Sequence, residues 1–189
     1  MRTEAEHLSD AVRALFVSND HGLFTSFATA VAGLTAAQAA SVPAARFNSV
    51  WAVVNHVRFW QEVTLLRLRG QPVDRTALGA DNGWPPARQP AADPGASPDD
   101  ESAWQAAVER CGEANRALAE AAAALSDEML AAPLAPGRAA PWQLVQGMIA
   151  HNAYHTCEVI SIRHMLGLWL DRTLGERGNE LSVEGAVLG

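Results

Sequence analysis

His151 and His155 stand four residues apart in the run Pro141-Trp142-Gln143-Leu144-Val145-Gln146-Gly147-Met148-Ile149-Ala150-His151-Asn152-Ala153-Tyr154-His155. In a helix that spacing puts both imidazoles on one face, a turn apart. Two imidazoles so placed can chelate one divalent metal through their ring nitrogens. The pair falls on the apolar stripe of its helix, with Leu144, Met148, Val159 and Ile162. Buried imidazoles are unfavourable unless each nitrogen finds a partner. A metal would supply one, and a hydrogen-bonded pair of core histidines is the plainer alternative.

A third histidine bears on that choice. His56 lies in Ser49-Val50-Trp51-Ala52-Val53-Val54-Asn55-His56-Val57-Arg58-Phe59-Trp60-Gln61-Glu62-Val63, on a face shared with Ser49, Ala52, Val53, Phe59, Trp60 and Val63. That face is again the apolar stripe. His56 falls near the middle of its helix, as the pair does in another, so packing the two would bring all three together. Three protein ligands with an open position is the catalytic pattern, whereas structural zinc sites are closed by four.

Four main helices must position these residues. The first is predicted over roughly Ser9 to Leu34, with a break at Ser18-Asn19-Asp20 and with Leu15, Phe16, Leu23, Phe24, Phe27 and Val31 inward. Thr35-Ala36-Ala37-Gln38 then reads as a capping box for a short helical turn. The second helix runs from Phe47 to Arg69 and stops at the C-cap glycine Gly70. The third starts at Asp99 or Asp100 and carries Trp104, Val108, Cys111, Leu118, Ala122 and Leu125 as a bundle seam. The fourth begins at Pro141 and ends at Gly167.

The two halves echo each other. Gly33-Leu34-Thr35 leads through Pro43 to Trp51 and the His56 helix, and Leu125-Ser126 leads through Pro133 to Trp142 and the His151 helix. Each reads as helix, short turn, histidine helix. Between the second and third helices lies a long loop, residues 71–98, rich in Pro, Asp, Gly and Ala, which suits a crossover between parallel neighbours. Its Trp84-Pro85-Pro86 reads as a hydrophobic latch or as a lid over a metal. The tail, 169–189, has weak periodicity and carries no assignment.

Composition narrows the classes. A chain of 189 residues suits a single domain, 1–189, with its core over about 9–168. Apolar residues make up 49%, Ala is abundant and β-branched runs are scarce, which favours an all-α fold. Basic residues number 14 against 21 acidic, a net charge of −7 without a basic cluster, so no nucleic-acid or membrane-surface partner is expected. Two cysteines, Cys111 and Cys157, are too few for a disulfide scaffold, and Met1-Arg2-Thr3-Glu4-Ala5-Glu6-His7 has no signal h-region; a cytoplasmic location is the expectation.

With these residues placed, the chain resembles the DinB superfamily, the YfiT-like metal-dependent enzymes, over roughly Leu15 to Gly167. The resemblance rests on Ala32-Gly33-Leu34-Thr35, Asn48-Ser49-Val50-Trp51 running into Asn55-His56-Val57, Trp84-Pro85-Pro86, and His151-Asn152-Ala153-Tyr154-His155 ending in Arg163-His164-Met165-Leu166-Gly167. It implies a four-helix bundle in up-down-down-up order, one divalent metal held by His56, His151 and His155, and a homodimer, for which Leu168, Trp169 and Leu170 are interface candidates. The metal would be zinc or nickel, with manganese or iron as further options.

The chain departs from the family pattern at Thr156-Cys157-Glu158, where relatives more often carry a small pair and then Gln. Glu158 lies about 20° around the helix from His151, two turns along. It could accept a hydrogen bond from an imidazole, add a ligand, act as a catalytic base, or stand as a solvated carboxylate. Cys157 should face away from the site. His7, His21 and His164 fall outside it, and Tyr154 either positions a substrate or packs.

The functional expectation is a metal-dependent enzyme. Some members of the family resemble thiol-dependent S-transferases using bacillithiol or mycothiol, and others resemble hydrolases. Transfer of a low-molecular-weight thiol, a cosubstrate, onto a small-molecule electrophile is the first reading. A metal-dependent hydrolase and a non-catalytic stress-related metal- or ligand-binding bundle are the alternatives.

Overall fold

The computed structural model describes residues 2–17, 24–44, 47–74, 80–84 and 97–168. Among them every regular element is helical: α1 (Glu4–Phe16), α2 (Phe27–Val31), α3 (Ala36–Ala40), α4 (Val50–Leu68), α5 (Glu101–Ala123), α6 (Asp127–Ala131) and α7 (Pro141–Met165), with a short 3-10 turn at Ala80–Gly83. None of these helices is long and apolar enough to cross a membrane.

The ends follow local chemistry. Ser49 caps α4 by accepting from the Ala52 N–H at 3.1 Å, and Gly70 follows its end at φ +65°. Asp100 caps α5 through the Ala103 N–H at 3.0 Å. Pro141 opens α7, where its missing N–H costs nothing. Thr35 and Gln38 cap each other across α3 as the capping box requires.

The first helix departs from expectation. It begins at Glu4, because Thr3 and Glu6 form a capping box of their own, and it ends at Phe16. A separate five-residue helix, capped by Ser26, follows at Phe27. Phe24, expected inward, is 42% exposed because it precedes that cap. Phe16, Phe27 and Val31 are buried as expected; Leu23, His21 and the predicted break lie outside the described residues.

The four long helices share a core. α4 packs against α5 and α7, and α1 packs against the same two. Ser9 Oγ donates to the Ala119 carbonyl at 2.8 Å, and Trp51 lies against Trp104 with ring centroids 5.5 Å apart. One core cluster gathers Trp51, Trp104, Phe16, Phe27 and Ile162; a second gathers Val12, Leu65, Leu118, Ala122, Val145 and Met148. Burying a side chain such as Leu118 or Ile162 stabilises by about 1.5–3 kcal/mol. Arg163 ties α2 to the end of α7, donating to the Ala30 and Ala32 carbonyls at 2.8 Å each.

The echo between the halves has a structural counterpart. A five-residue helix capped by Thr35 precedes α4, and one capped by Ser126 precedes α7. Each short helix delivers the chain into a histidine-bearing helix. The first two turns of α4 are covered on every side, with all residues from 50 to 57 buried, because α3 and the 80–84 turn close what α5 and α7 leave open.

Candidate metal centre

The α4–α7 contact brings together His56, His151 and His155, and one ligand nitrogen from each lies within 4.8 Å of the others. His56 Nε2 and His151 Nε2 are 3.3 Å apart. Two nitrogens bound to one tetrahedral ion at 2.0–2.1 Å each stand roughly that far apart. The three residues expected from sequence are therefore the three that the fold groups.

Two of the imidazoles are oriented from behind. His56 Nδ1 donates to the Asn82 carbonyl at 2.8 Å, which leaves the Nε2 lone pair of the neutral ring facing its neighbours. His155 Nδ1 donates to Glu158 Oε2 at 2.7 Å, with the same consequence for its own Nε2. That Nε2 is buried with no hydrogen-bond partner. A buried acceptor left so is costly, and a cation among the three rings would satisfy it. The donor set fits a divalent metal ion.

Burial also keeps the rings in the state a metal needs. It pushes the pKa values of His56 and His151 down to about 4, the neighbouring His155 adding to the effect in both cases. Both rings are therefore neutral at pH 7. Burial alone would raise the Glu158 carboxyl, but hydrogen bonds from His155 and from Asn48, whose Nδ2 donates to Oε1 at 2.7 Å, outweigh it and lower the pKa.

The 80–84 turn reaches the site by an unusual backbone. Asp81, Asn82 and Gly83 all have positive φ, at 52°, 60° and 83°. Asp and Asn tolerate that region better than other side chains do. Gly83 is required for a second reason: a Cβ there would stand 2.8 Å from the Asn55 carbonyl oxygen and from Phe59 Cβ. The turn can thus lie directly on α4, aiming the Asn82 carbonyl at His56 and stacking Trp84 on the His56 ring at 3.9 Å, 16° from parallel.

Other sequence expectations fall into place around this centre. Tyr154 packs its ring 4.4 Å from His155 and is 56% exposed. Cys157 and His164 are exposed, and His7 is exposed on α1. Pro85, Pro86 and most of the long loop lie outside the described residues. Sequence reasoning gave no role to Asn48 or Asn82. Asn48 had no periodic signal, since it precedes the helix cap. Asn82-Gly83 is a recognisable turn dipeptide, but nothing in it states which helix the turn meets.

A family model described as the DinB superfamily matches residues 24–158, which span all three histidines. No curated protein and no solved structure matches the chain.

Proposed function

The chain belongs to the DinB superfamily, and from that membership and the three convergent histidines we infer a divalent-metal-dependent enzyme that transfers a low-molecular-weight thiol onto a small-molecule electrophile. The observation that carries this reading is the pre-set orientation of His56 and His155, whose Nδ1 atoms are engaged so that each Nε2 faces the other rings. Three histidines leave at least one position for an outside ligand. A divalent ion there, zinc or nickel by preference, would lower the pKa of a bound thiol.

In the reaction, the thiol loses its proton to solvent or base, sulfur forms a bond to the electrophilic carbon, and the electron pair passes to the leaving group or to the atom next protonated. His56, His151 and His155 hold the centre; Glu158 holds His155. We assign Glu158 a positioning role first and that of general base second.

The rest of the reading concerns arrangement. We take the chain as one domain, with the long helices in up-down-down-up order. The contacts favour that order: Ser9 with Ala119 and Phe16 near Gly112 set α1 antiparallel to α5, while Asn48 with Glu158 sets α4 antiparallel to α7. Trp51 on Trp104, beside Cys111 near Arg58, sets α4 parallel to α5. A cytoplasmic homodimer acting on small molecules completes the proposal.

Elemental analysis of protein purified without a histidine tag tests the centre. About one divalent metal per chain is expected, and the His56/His151/His155 triple alanine variant should hold almost none. Full occupancy in that variant would overturn the site. Turnover of a thiol and electrophile panel then tests the chemistry. Hydrolysis of activated esters without thiol dependence would favour the hydrolase reading, and no turnover at a loaded site the binding module.

A further inference from the structure

Three aromatic rings surround the histidines, and each spans a different pair of them. Trp60 of α4 lies edge-on to His56 and His151, with centroids 6.4 and 6.3 Å away. Trp84 of the 80–84 turn stacks on His56 at 3.9 Å and meets His155 edge-on at 5.9 Å. Tyr154 of α7 sits 5.1 Å from His151 and 4.4 Å from His155. Three separate segments therefore contribute one ring apiece.

Core packing accounts for only part of these rings: Trp84 and Trp60 each touch a core cluster with one side. Trp60 and Trp84 are half-buried, and Tyr154 is more than half exposed, although each carries a large apolar surface that water disfavours. Every one of them lies against two of the three histidines. The carboxylate nearest the histidines, Glu158, has both oxygens engaged by His155 and Asn48, so it offers little to a charged substrate.

We propose that Trp60, Trp84 and Tyr154 form an aromatic collar that selects substrates with a flat, uncharged aromatic or apolar body, presenting the reacting group to the three-histidine centre. The proposal rests on the metal-dependent reading above. Ring edges and faces favour another π-system through offset or edge-on contact. Trp84 lies on a turn whose backbone is clamped to α4 through Gly83, so its side of the collar is pre-formed.

Cobalt-substituted protein provides the test, because a thiolate on cobalt gives an absorption band that can be titrated without turnover. Benzyl mercaptan and 2-mercaptoethanol, neutral thiols of similar acidity, are the probes. The wild type should bind the benzyl compound at least tenfold more tightly. Trp84→Ala and Tyr154→Ala should bring that ratio close to unity while keeping one cobalt per chain, and Trp84→Phe should retain most of the preference. Trp60 and Trp84 also touch the core, so every variant is checked for folding by circular dichroism; Trp60→Phe is used at the helix position and should lower the ratio only partly. Equal affinities in the wild type, or an unchanged ratio in both alanine variants, would overturn the collar and leave the metal centre standing. Failure of the wild type to bind cobalt would overturn both.

Discussion

The α1–α5 seam and the α4–α7 contact belong to one helical core but are built on opposite terms. Where α1 meets α5, the interior is apolar and small: Val12, Leu118, Ala119 and Ala122 are buried, and Ser9 and Asn115 spend their donors on opposing backbone carbonyls. Where α4 meets α7, three imidazoles, Asn48 and Glu158 converge, and His151 Nδ1 and His155 Nε2 remain buried without partners. An apolar seam gains from the hydrophobic effect wherever it is dry. A cluster of buried imidazoles gains nothing by burial alone and becomes favourable when a cation enters it. The first region offers packing; the second adds to its packing a donor set that fits a cation.

The largest expected effect separates the two. Leu118→Ala removes a fully buried side chain and should cost about 3 kcal/mol. That lowers the Tm by roughly 10 °C for a domain of this size, while the metal affinity of the folded protein stays the same. His151→Ala should do the reverse, abolishing most metal binding with a much smaller change in the Tm of the metal-free protein. Calorimetry paired with metal titration reads both, and equal effects of each variant on each property would break the contrast.

A smaller effect tests how the histidine region is held together. Glu158→Gln keeps the shape of the side chain but removes the charge that His155 Nδ1 donates to. Metal affinity should fall about 10- to 100-fold, the usual range when a partner behind a ligand is lost. Unchanged affinity with a large drop in turnover would instead identify Glu158 as the base.

The last effect is a slope. Burial holds His56 and His151 near pKa 4 in the folded chain, against 6.5 when unfolded. Between those values the unfolded chain binds protons that the folded chain does not, so the metal-free protein should lose stability as pH falls from 6.5 towards 4. Melting curves of the metal-free protein across that window check it. The triple alanine variant should show a shallower slope, whereas Leu118→Ala should lower the whole curve without changing its shape.

Much of this contrast is written in one dimension. Apolar and alanine periodicity marks α4, α5 and α7, and Asp100 and Pro141 mark the starts of the last two, because capping and helical propensity act over a few residues; α4 starts at Val50 behind the Ser49 cap and not at Phe47, where the apolar pattern begins. The spacing of His151 and His155 is likewise local, and a helix converts it directly into a shared face. The start of α1 was legible too, in Thr3 and Glu6, although the apolar pattern alone places the helix too late.

What lies between segments was decided only by the tertiary structure. His56 joins the pair because α4 packs on α7 at one register, set by how the buried side chains of both helices interlock. The Asn82 carbonyl reaches His56 because Gly83 has no Cβ to strike α4, an approach across 26 residues of chain. Asn48 meets Glu158 across 110 residues, and the three aromatic rings close around the histidines from three segments. Local spacing could name His151 and His155 as a candidate pair, since a helix fixes neighbours one turn apart. It could not name what orients or surrounds them, since those distances depend on packing between helices and on no short-range rule.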